Sequence, residues 1–340
     1  MSTSFNVAVV GVTGVVGELI LEILHERKFP VNQVHALASE RSVGKRVPFG
    51  ENNLSVKELA TFDFSTVQFA FFSAGGSVSA QFVPKAAAAG AIVIDNTSHF
   101  RYDVDVPLVV PEVNLEALAD YRERNIIANP NCSTIQMVVA LKPIYDAVGI
   151  ARINVATYQS VSGAGRKAIH ELASQTSHLL NGQQVENEVF PTQIAFNVIP
   201  QIDVMMENGY TKEEMKMIWE TKKILGDDDV LVNPTAVRVP VFFGHSEAIH
   251  IETRQSITVE MARSLLQNAP GVTFIDDETY PTAITHAANA DAVFVGRIRQ
   301  DLSHPNGLNL WVVADNVRKG GALNAVQIAE KLIEHDFYLS

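Results

Sequence analysis

Cysteine is almost missing from this chain: of 340 residues only one, Cys132, carries a thiol. A single cysteine excludes an internal disulfide framework and suits a reducing compartment. Cys and His never occur at paired spacing, so no structural zinc site is expected. No cluster of Lys and Arg interrupts a formal net charge of −12. That argues against nucleic acid or an anionic membrane as a partner. No apolar run approaches ~20 residues, so no membrane span is expected. The first residues show no basic stretch followed by an apolar one, so no secretory leader is expected either. What remains is the expectation of a soluble cytoplasmic enzyme. With 47% hydrophobic and 19% charged residues, the chain reads as a well-packed globular protein. Its length predicts two domains.

The run Phe5-Asn6-Val7-Ala8-Val9-Val10 has the character of a parallel strand buried on both faces. It feeds Gly11-Val12-Thr13-Gly14-Val15-Val16-Gly17 and then a helical pattern from Glu18 to Leu24. Strand, glycine turn and helix form the context of a dinucleotide fingerprint, here spaced G-x-x-G-x-x-G. Gly11 would make the tight turn, Gly14 would admit a pyrophosphate at the helix N-terminus, and Gly17 would let helix and strand pack closely. After the second strand, near 34–38, stands Ser39-Glu40-Arg41-Ser42. Glu40 could serve a ribose 2′-hydroxyl, but Arg41 and the serines suit a 2′-phosphate, which favours NADP over NAD. Further strands are expected at Val67–Phe72, Ile92–Asp95 and Ile126–Ala128. The β-α alternation predicts an α/β fold with a Rossmann-type doubly wound parallel sheet. Arg101, close after the fourth strand, reads as an anion ligand or as a partner of Asp103 or Asp105.

Cys132 lies in Asn129-Pro130-Asn131-Cys132-Ser133-Thr134, between a strand and a helical run. Ser133 or Thr134 would cap that helix and leave the sulfur at its N-terminus, where an anion is favoured. A buried cysteine acting as a small hydrophobe is the competing reading. Beyond it the pattern becomes α+β with a mixed or antiparallel sheet. An alternating strand, Arg152–Ser160, ends in Val161-Ser162-Gly163-Ala164-Gly165 and a helix of about four turns through Leu180. Residues 182–210 read as irregular. Thr211 and Glu214 match a capping box, and Glu213 and Lys216 share a helix face as a solvated ion pair. Val237–Phe243 and Glu247–Thr253 read as strands flanking a Gly244-His245-Ser246 turn, with two further strands near 292–298 and 308–315. Among the ten histidines, His245 is the best acid/base candidate, and His250 reads as structural. A nicotinamide domain, a cysteine and a histidine together suggest thiolate attack on an aldehyde, hydride transfer and a thioester.

Over essentially its full length the sequence resembles the aspartate-semialdehyde dehydrogenases, in their shorter branch. The resemblance rests on the glycine turn, Ser98-His99-Phe100-Arg101, Asn129–Thr134, Gln159–Gly165, Glu213-x-x-Lys216 and Arg238-x6-His245. It implies Cys132 as nucleophile, His245 as acid/base and Gln159 as the residue orienting substrate. It further implies Arg238 on the substrate carboxylate, Glu213 on its ammonium, and Arg101 and Lys216 on phosphate, with Asn131 at the substrate. Contacts to NADP would come from Gly11, Thr13, Gly14, Val15, Val16, Gly17, Arg41, Ser42, Ser162, Gly163 and Asn316. The implied reaction is the reversible reductive dephosphorylation of 4-phospho-L-aspartate to L-aspartate 4-semialdehyde, in lysine, methionine and threonine biosynthesis. The implied assembly is a homodimer or tetramer through the second domain. Domain limits of 1–131 and 132–318 are expected, with a C-terminal helix in 319–340 packing back on the first. The alternatives are an N-acetyl-glutamyl-phosphate reductase-like enzyme and an NADP-binding paralogue without turnover.

Overall fold

The computed structural model describes residues 4–275 and 279–335. The chain divides into two compact units, Met1–Asn131 with Gly321–Ser340, and Cys132–Gly320.

In the first unit the apolar runs form the expected parallel sheet. Its elements are β1 (Phe5–Val10), α1 (Val15–Glu26), β2 (Val31–Ala38), a hairpin of β3 (Arg46–Phe49) and β4 (Asn52–Ser55), β5 (Lys57–Glu58), β6 (Phe69–Phe72), α2 (Gly76–Ala88), β7 (Ile92–Asp95), α3 (Pro111–Asn114) and β8 (Ile126–Ala128). The strand order is β5-β2-β1-β6-β7-β8, with every pairing parallel. All residues of β6 and β7 are buried, as strands covered on both faces require. Phe69 packs edge-on against Phe5 and Phe29, with ring centroids 5.2 and 5.9 Å away. The order reverses between β1 and β6, so the glycine turn after β1 opens at the switch point of the sheet. The closing helix Leu323–Glu334 is fastened here. Asn324 donates to the Val109 carbonyl and to Asn129 Oδ1, and Arg27 holds Glu330 in a two-bond fork.

In the second unit α4 (Cys132–Val148) leads into β9 (Ile150–Gln159), followed by α5 (Arg166–Leu180), α6 (Lys212–Leu225), β10 (Leu231–Arg238), β11 (His245–Thr253), α7 (Val259–Gln267), β12 (Val272–Phe274), β13 (Val293–Gln300) and β14 (Gly307–Ala314). The mixed sheet runs β10-β9-β11-β14-β13-β12, parallel at its two outer pairs and antiparallel within. Helices α4, α6 and α7 pack along it. Buried and half-buried residues alternate along β11, as in a strand with one covered face. Tyr158 and Trp311 meet at the more open side, their rings tilted by 47° with centroids 5.7 Å apart.

Two strand limits differ from expectation. The apolar run Val237–Phe243 predicts a strand, but β10 spans Leu231–Arg238 and leaves the sheet after Arg238. It lies at the sheet edge, where Pro234 is tolerated because no neighbour needs its missing N–H. His245 and Ser246 belong to β11 rather than to a turn before it. Among the described residues no helix is long and apolar enough to cross a membrane.

Candidate active site

In the first unit, a cleft of about 610 Å³ opens at the carboxyl ends of the strands. Gly11, Thr13, Gly14, Ser39, Glu40, Arg41, Ser73 and Ala74 line it. Gly11 sits at φ +93°, and a Cβ there would lie 2.9 Å from the Ser73 backbone. A Cβ on Gly17 would lie 2.2 Å from the Gly11 carbonyl oxygen, so the turn and α1 approach too closely for any side chain. The resulting cradle presents the N-terminus of α1, begun by Gly14, and bare backbone. These features fit a dinucleotide pyrophosphate. Val15, Val16, Gly17 and Ser42 lie outside the cleft lining, and Ser42 is buried.

Arg101 is also buried and donates to the Asn96 carbonyl at 2.8 Å. Asp103 and Asp105, considered as its partners from the sequence, bond Arg124 at 2.7 and 3.1 Å. Near Arg101 lies Asp95, whose pKa is raised by burial, against the pull of hydrogen bonds from Thr97 and Ser79 and of the Arg101 charge. Asn131 is the last residue of this unit and is buried.

The second unit opens on Cys132 itself, which is partly exposed. Helix α4 begins at Cys132 rather than after it. Ser133 and Thr134 therefore sit inside the first turn and are not its caps. The thiol still occupies a helix N-terminus, where unpaired N–H groups favour an anion. Gly320 backs it closely: a Cβ on Gly320 would lie 2.7 Å from Cys132 Cβ.

His245 and Arg238 are tied to opposite sides of one peptide segment. The Ser160 N–H donates to His245 Nδ1 at 3.1 Å, and Arg238 Nη1 donates to the Ser160 carbonyl at 2.7 Å. Because Nδ1 accepts, the proton of the neutral imidazole resides on Nε2. Nε2 has no hydrogen-bond partner among the described residues. Burial, aided by the Arg238 charge, pulls the His245 pKa from 6.5 down to about 3, with Glu213 opposing. Burial also lowers Arg238, against the opposing pull of Glu213 and Cys132. Gly163 faces both side chains. A Cβ there would stand 3.1 Å from Arg238 Nη1 and 3.4 Å from His245 Nε2. Asn316 Oδ1 accepts from Gly244 N–H, Ser160 Oγ and Ser162 Oγ, locking the turns that carry these groups.

Gln159, at the end of β9, donates to Glu213 Oε1 at 3.2 Å, and Lys216 bonds Glu213 Oε2 at 2.9 Å. Lys216 also holds Asp203 at 2.8 Å. Burial pulls Lys216 down, but Glu213 and Asp203 outweigh it and hold its pKa above the ordinary value. Glu213 is 5% exposed, so the solvated ion pair expected from sequence is a buried one. The capping box of Thr211 and Glu214 forms as expected and fixes the first turn of α6, where Glu213 lies. His250 is structural, bonded to Asn154 and Asp301.

The irregular segment 182–210 is fastened by two residues of α5. Glu171 accepts from the backbone of Glu188 and Val189, and Gln175 Oε1 from Ile194 and Ala195. This brings the Phe190 ring to 6.0 Å from the Arg238 guanidinium. The sequence marked neither Ser160 nor Gly320 for a role. Ser160 acts through its backbone, which any residue possesses, so only its place beside Gln159 pointed to it.

Residues 6–121 match a family model described as "Semialdehyde dehydrogenase, NAD binding domain", and residues 141–319 match "Semialdehyde dehydrogenase, dimerisation domain". An aspartate-semialdehyde dehydrogenase of Shewanella sp. is 63% identical over 99% of this chain and 100% of that protein. The chain belongs to the aspartate-semialdehyde dehydrogenase family. A Vibrio cholerae relative described as aspartate-semialdehyde dehydrogenase 2 is 61% identical over 99% of this chain and 100% of its own. A solved V. cholerae structure, aspartate semialdehyde dehydrogenase II complexed with ASA, is 61% identical, with a TM-score of 0.97 over 98% of this chain and 99% of that one. A Candida albicans aspartate semialdehyde dehydrogenase solved with NADP is 26% identical, with a TM-score of 0.79 over 98% of this chain and 100% of that one. Family membership makes the chain an oxidoreductase of amino-acid biosynthesis, with a nicotinamide-binding unit and a second unit suited to self-association.

Proposed function

We propose that this chain interconverts 4-phospho-L-aspartate and L-aspartate 4-semialdehyde, with NADP as cofactor and an acyl thioester on Cys132, in the route to lysine, methionine and threonine. The observation that carries this reading is the Ser160 link. One peptide segment presents an imidazole with its Nε2 proton unpartnered and a guanidinium, both facing Gly163, in the unit that begins with the only cysteine.

In the reductive direction the Cys132 thiolate adds to the acyl carbon. The carbon–oxygen bond to phosphate breaks, and phosphate leaves with that electron pair. As an imidazolium, His245 lends a proton from Nε2 to the oxyanion that forms when the acyl carbon is reduced. It takes the proton back as the carbon–sulfur bond breaks, which releases the aldehyde and returns the electron pair to the Cys132 sulfur. Oxidation runs the same steps in reverse. Burial, and then the Arg238 charge, hold the His245 pKa low. A substrate carboxylate on Arg238 would offset the second of these and move the pKa upward. Arg238 suits a bidentate carboxylate contact. Glu213, which accepts from Gln159 and Lys216, has the charge to take an ammonium. Gln159 would orient the substrate, and Asn131 would contact it. Lys216 and Arg101 would take phosphate, Lys216 by exchanging its Asp203 pair.

Gly11, Thr13, Gly14, Val15, Val16, Gly17, Arg41, Ser42, Ser162, Gly163 and Asn316 are assigned to NADP. Arg41 in the cleft lining supports a 2′-phosphate. NADP accepts hydride in the oxidative direction and donates it in the reductive one. A lone free thiol fits the cytoplasm. The more open side of the mixed sheet fits a homodimer.

The test is phosphate-dependent reduction of NADP⁺ with aspartate semialdehyde beside the N-acetylglutamyl analogue. Turnover of the first, preference of about 100-fold or more over the second, and loss of turnover in Cys132→Ser with NADP binding intact are expected. Equal use of both aldehydes, or near-normal activity of the serine variant, would overturn the reading.

A further inference from the structure

Glu247 and Gln136 are both fully buried and have no place in the chemistry above. Gln136 follows Cys132 by one turn on the same face of α4. Glu247 follows His245 by one repeat on the same buried face of β11. Helix α4 packs on β11, and the Glu247 carboxyl faces the Gln136 amide. By strict distance and angle, neither carboxyl oxygen and neither amide atom has a hydrogen-bond partner among the described residues, so each group is buried with the other as its facing polar neighbour. The two elements thus carry a facing polar pair, one helical turn beyond Cys132 and one strand repeat beyond His245.

We propose that Glu247 and Gln136 are positioning residues, paired so as to hold the thiol-bearing first turn of α4 in register on the imidazole-bearing end of β11. The inference rests on the thioester reading, because it assigns the pair its purpose through Cys132 and His245. Two polar side chains without partners in a core would each destabilise it, so their joint presence makes sense as mutual satisfaction. A protonated carboxyl is the complement of a primary amide: its O–H donates to the amide oxygen and its carbonyl accepts an amide N–H. The environment favours that form, since burial raises the Glu247 pKa well above its ordinary value, with only Gln136 pulling the other way. An apolar pair could fill the same volume but would let the helix slide. Directional bonds fix one register. A shift of about 1 Å between reacting groups can cost about 100-fold in rate.

The experiment compares Glu247→Gln, Glu247→Leu and Gln136→Leu on the full chain. The substrate-free readout is the pH profile of Cys132 alkylation by iodoacetamide. The second is kcat against KM for the semialdehyde. Both leucine variants should keep KM within about twofold, lose about 10- to 100-fold in kcat, and move the alkylation midpoint to higher pH. Glu247→Gln, which restores a neutral donor–acceptor partner, should stay within about threefold of wild type on every readout. Wild-type behaviour of both leucine variants would overturn the proposal. So would a glutamine variant as impaired as Glu247→Leu, because an ionisable acid would then be what matters. Should Glu247→Leu fail to fold, Glu247→Gln and Gln136→Leu decide alone, by the same criteria. Alkylation needs no substrate, so it reads the pair even if wild type fails to turn over the semialdehyde, which would defeat the function instead.

Discussion

Replacing His245 with Asn should change how the stability of the second unit depends on pH. Asn can still accept the Ser160 N–H, so the turn survives. The native imidazole has its pKa near 3 instead of 6.5, because of burial and then the Arg238 charge. Its folded pKa is therefore depressed. Below pH 6.5 the unfolded chain binds a proton that the native state refuses. Stability is lost as pH falls from about 6.5 towards 3, at up to about 1.4 kcal/mol per pH unit. At pH 5 this amounts to about 2 kcal/mol relative to pH 7.5. Glu247 acts with the opposite sign. Its raised pKa keeps a proton in the native state that the unfolded chain releases above about 4.5, so it removes stability as pH rises. The two slopes oppose one another near pH 5–6.5 in the wild type. His245→Asn removes only the first. Its stability difference from wild type should shift by about 2 kcal/mol towards the variant as pH is lowered from 7.5 to 5. Urea titrations followed by tryptophan fluorescence suit this unit, since both tryptophans, Trp219 and Trp311, lie within it. A difference that stays flat with pH would refute the claim that the fold holds His245 neutral.

Arg238→Lys loses the planar fork. It should raise KM for the semialdehyde by about 10-fold or more with a smaller change in kcat, and an unchanged KM in steady-state assays would remove Arg238 from the substrate. Gly320→Ala places a Cβ 2.7 Å from Cys132 Cβ and must move one of them. Its kcat should fall by about 10-fold or more while NADP affinity by fluorescence titration stays within about twofold, and a fully active variant would contradict the close packing. Arg41→Ala should raise KM for NADP⁺ by about 10-fold and leave that for NAD⁺ nearly unchanged; an equal effect on both cofactors would argue against a 2′-phosphate contact.

The first unit was legible because its strands are buried on both faces. Val7, Val9, Phe69, Phe71 and Ile94 are fully covered, and such runs stand out without any partner being known. The glycine turn was legible because Gly11 and Gly17 are places where the backbone admits no Cβ. Partners distant in sequence were not legible. Asp103 and Asp105 bond Arg124, about twenty residues on, and nothing local marks that choice. The β10 limits were misplaced because Val239, Val241 and Phe242 look more strand-like than Asn233-Pro234, while the pairing with β9 ends at Arg238. Glu247 looked like any polar residue of an alternating strand. Only the packing of α4 on β11 shows that it faces inward.

The charges of the second unit fit an amino-acid substrate in a way no single motif conveys. Arg238 and Lys216 bring two positive charges, and Glu213 and Asp203 bring two negative ones, so the cluster is balanced before anything binds. Buried charge is tolerated when it is paired and costly when it is not. A head group carrying both a carboxylate and an ammonium leaves that balance untouched, because each group exchanges one paired state for another. An N-acetylated head brings the carboxylate alone. The cluster would then gain a negative charge with no ammonium to offset it, and the added acyl group must fit where an ammonium would have sat. The expected outcome of this charge balance is selectivity for the free amino acid. It would hold even if Glu213 never touched the ammonium directly, provided the field of the cluster reaches it.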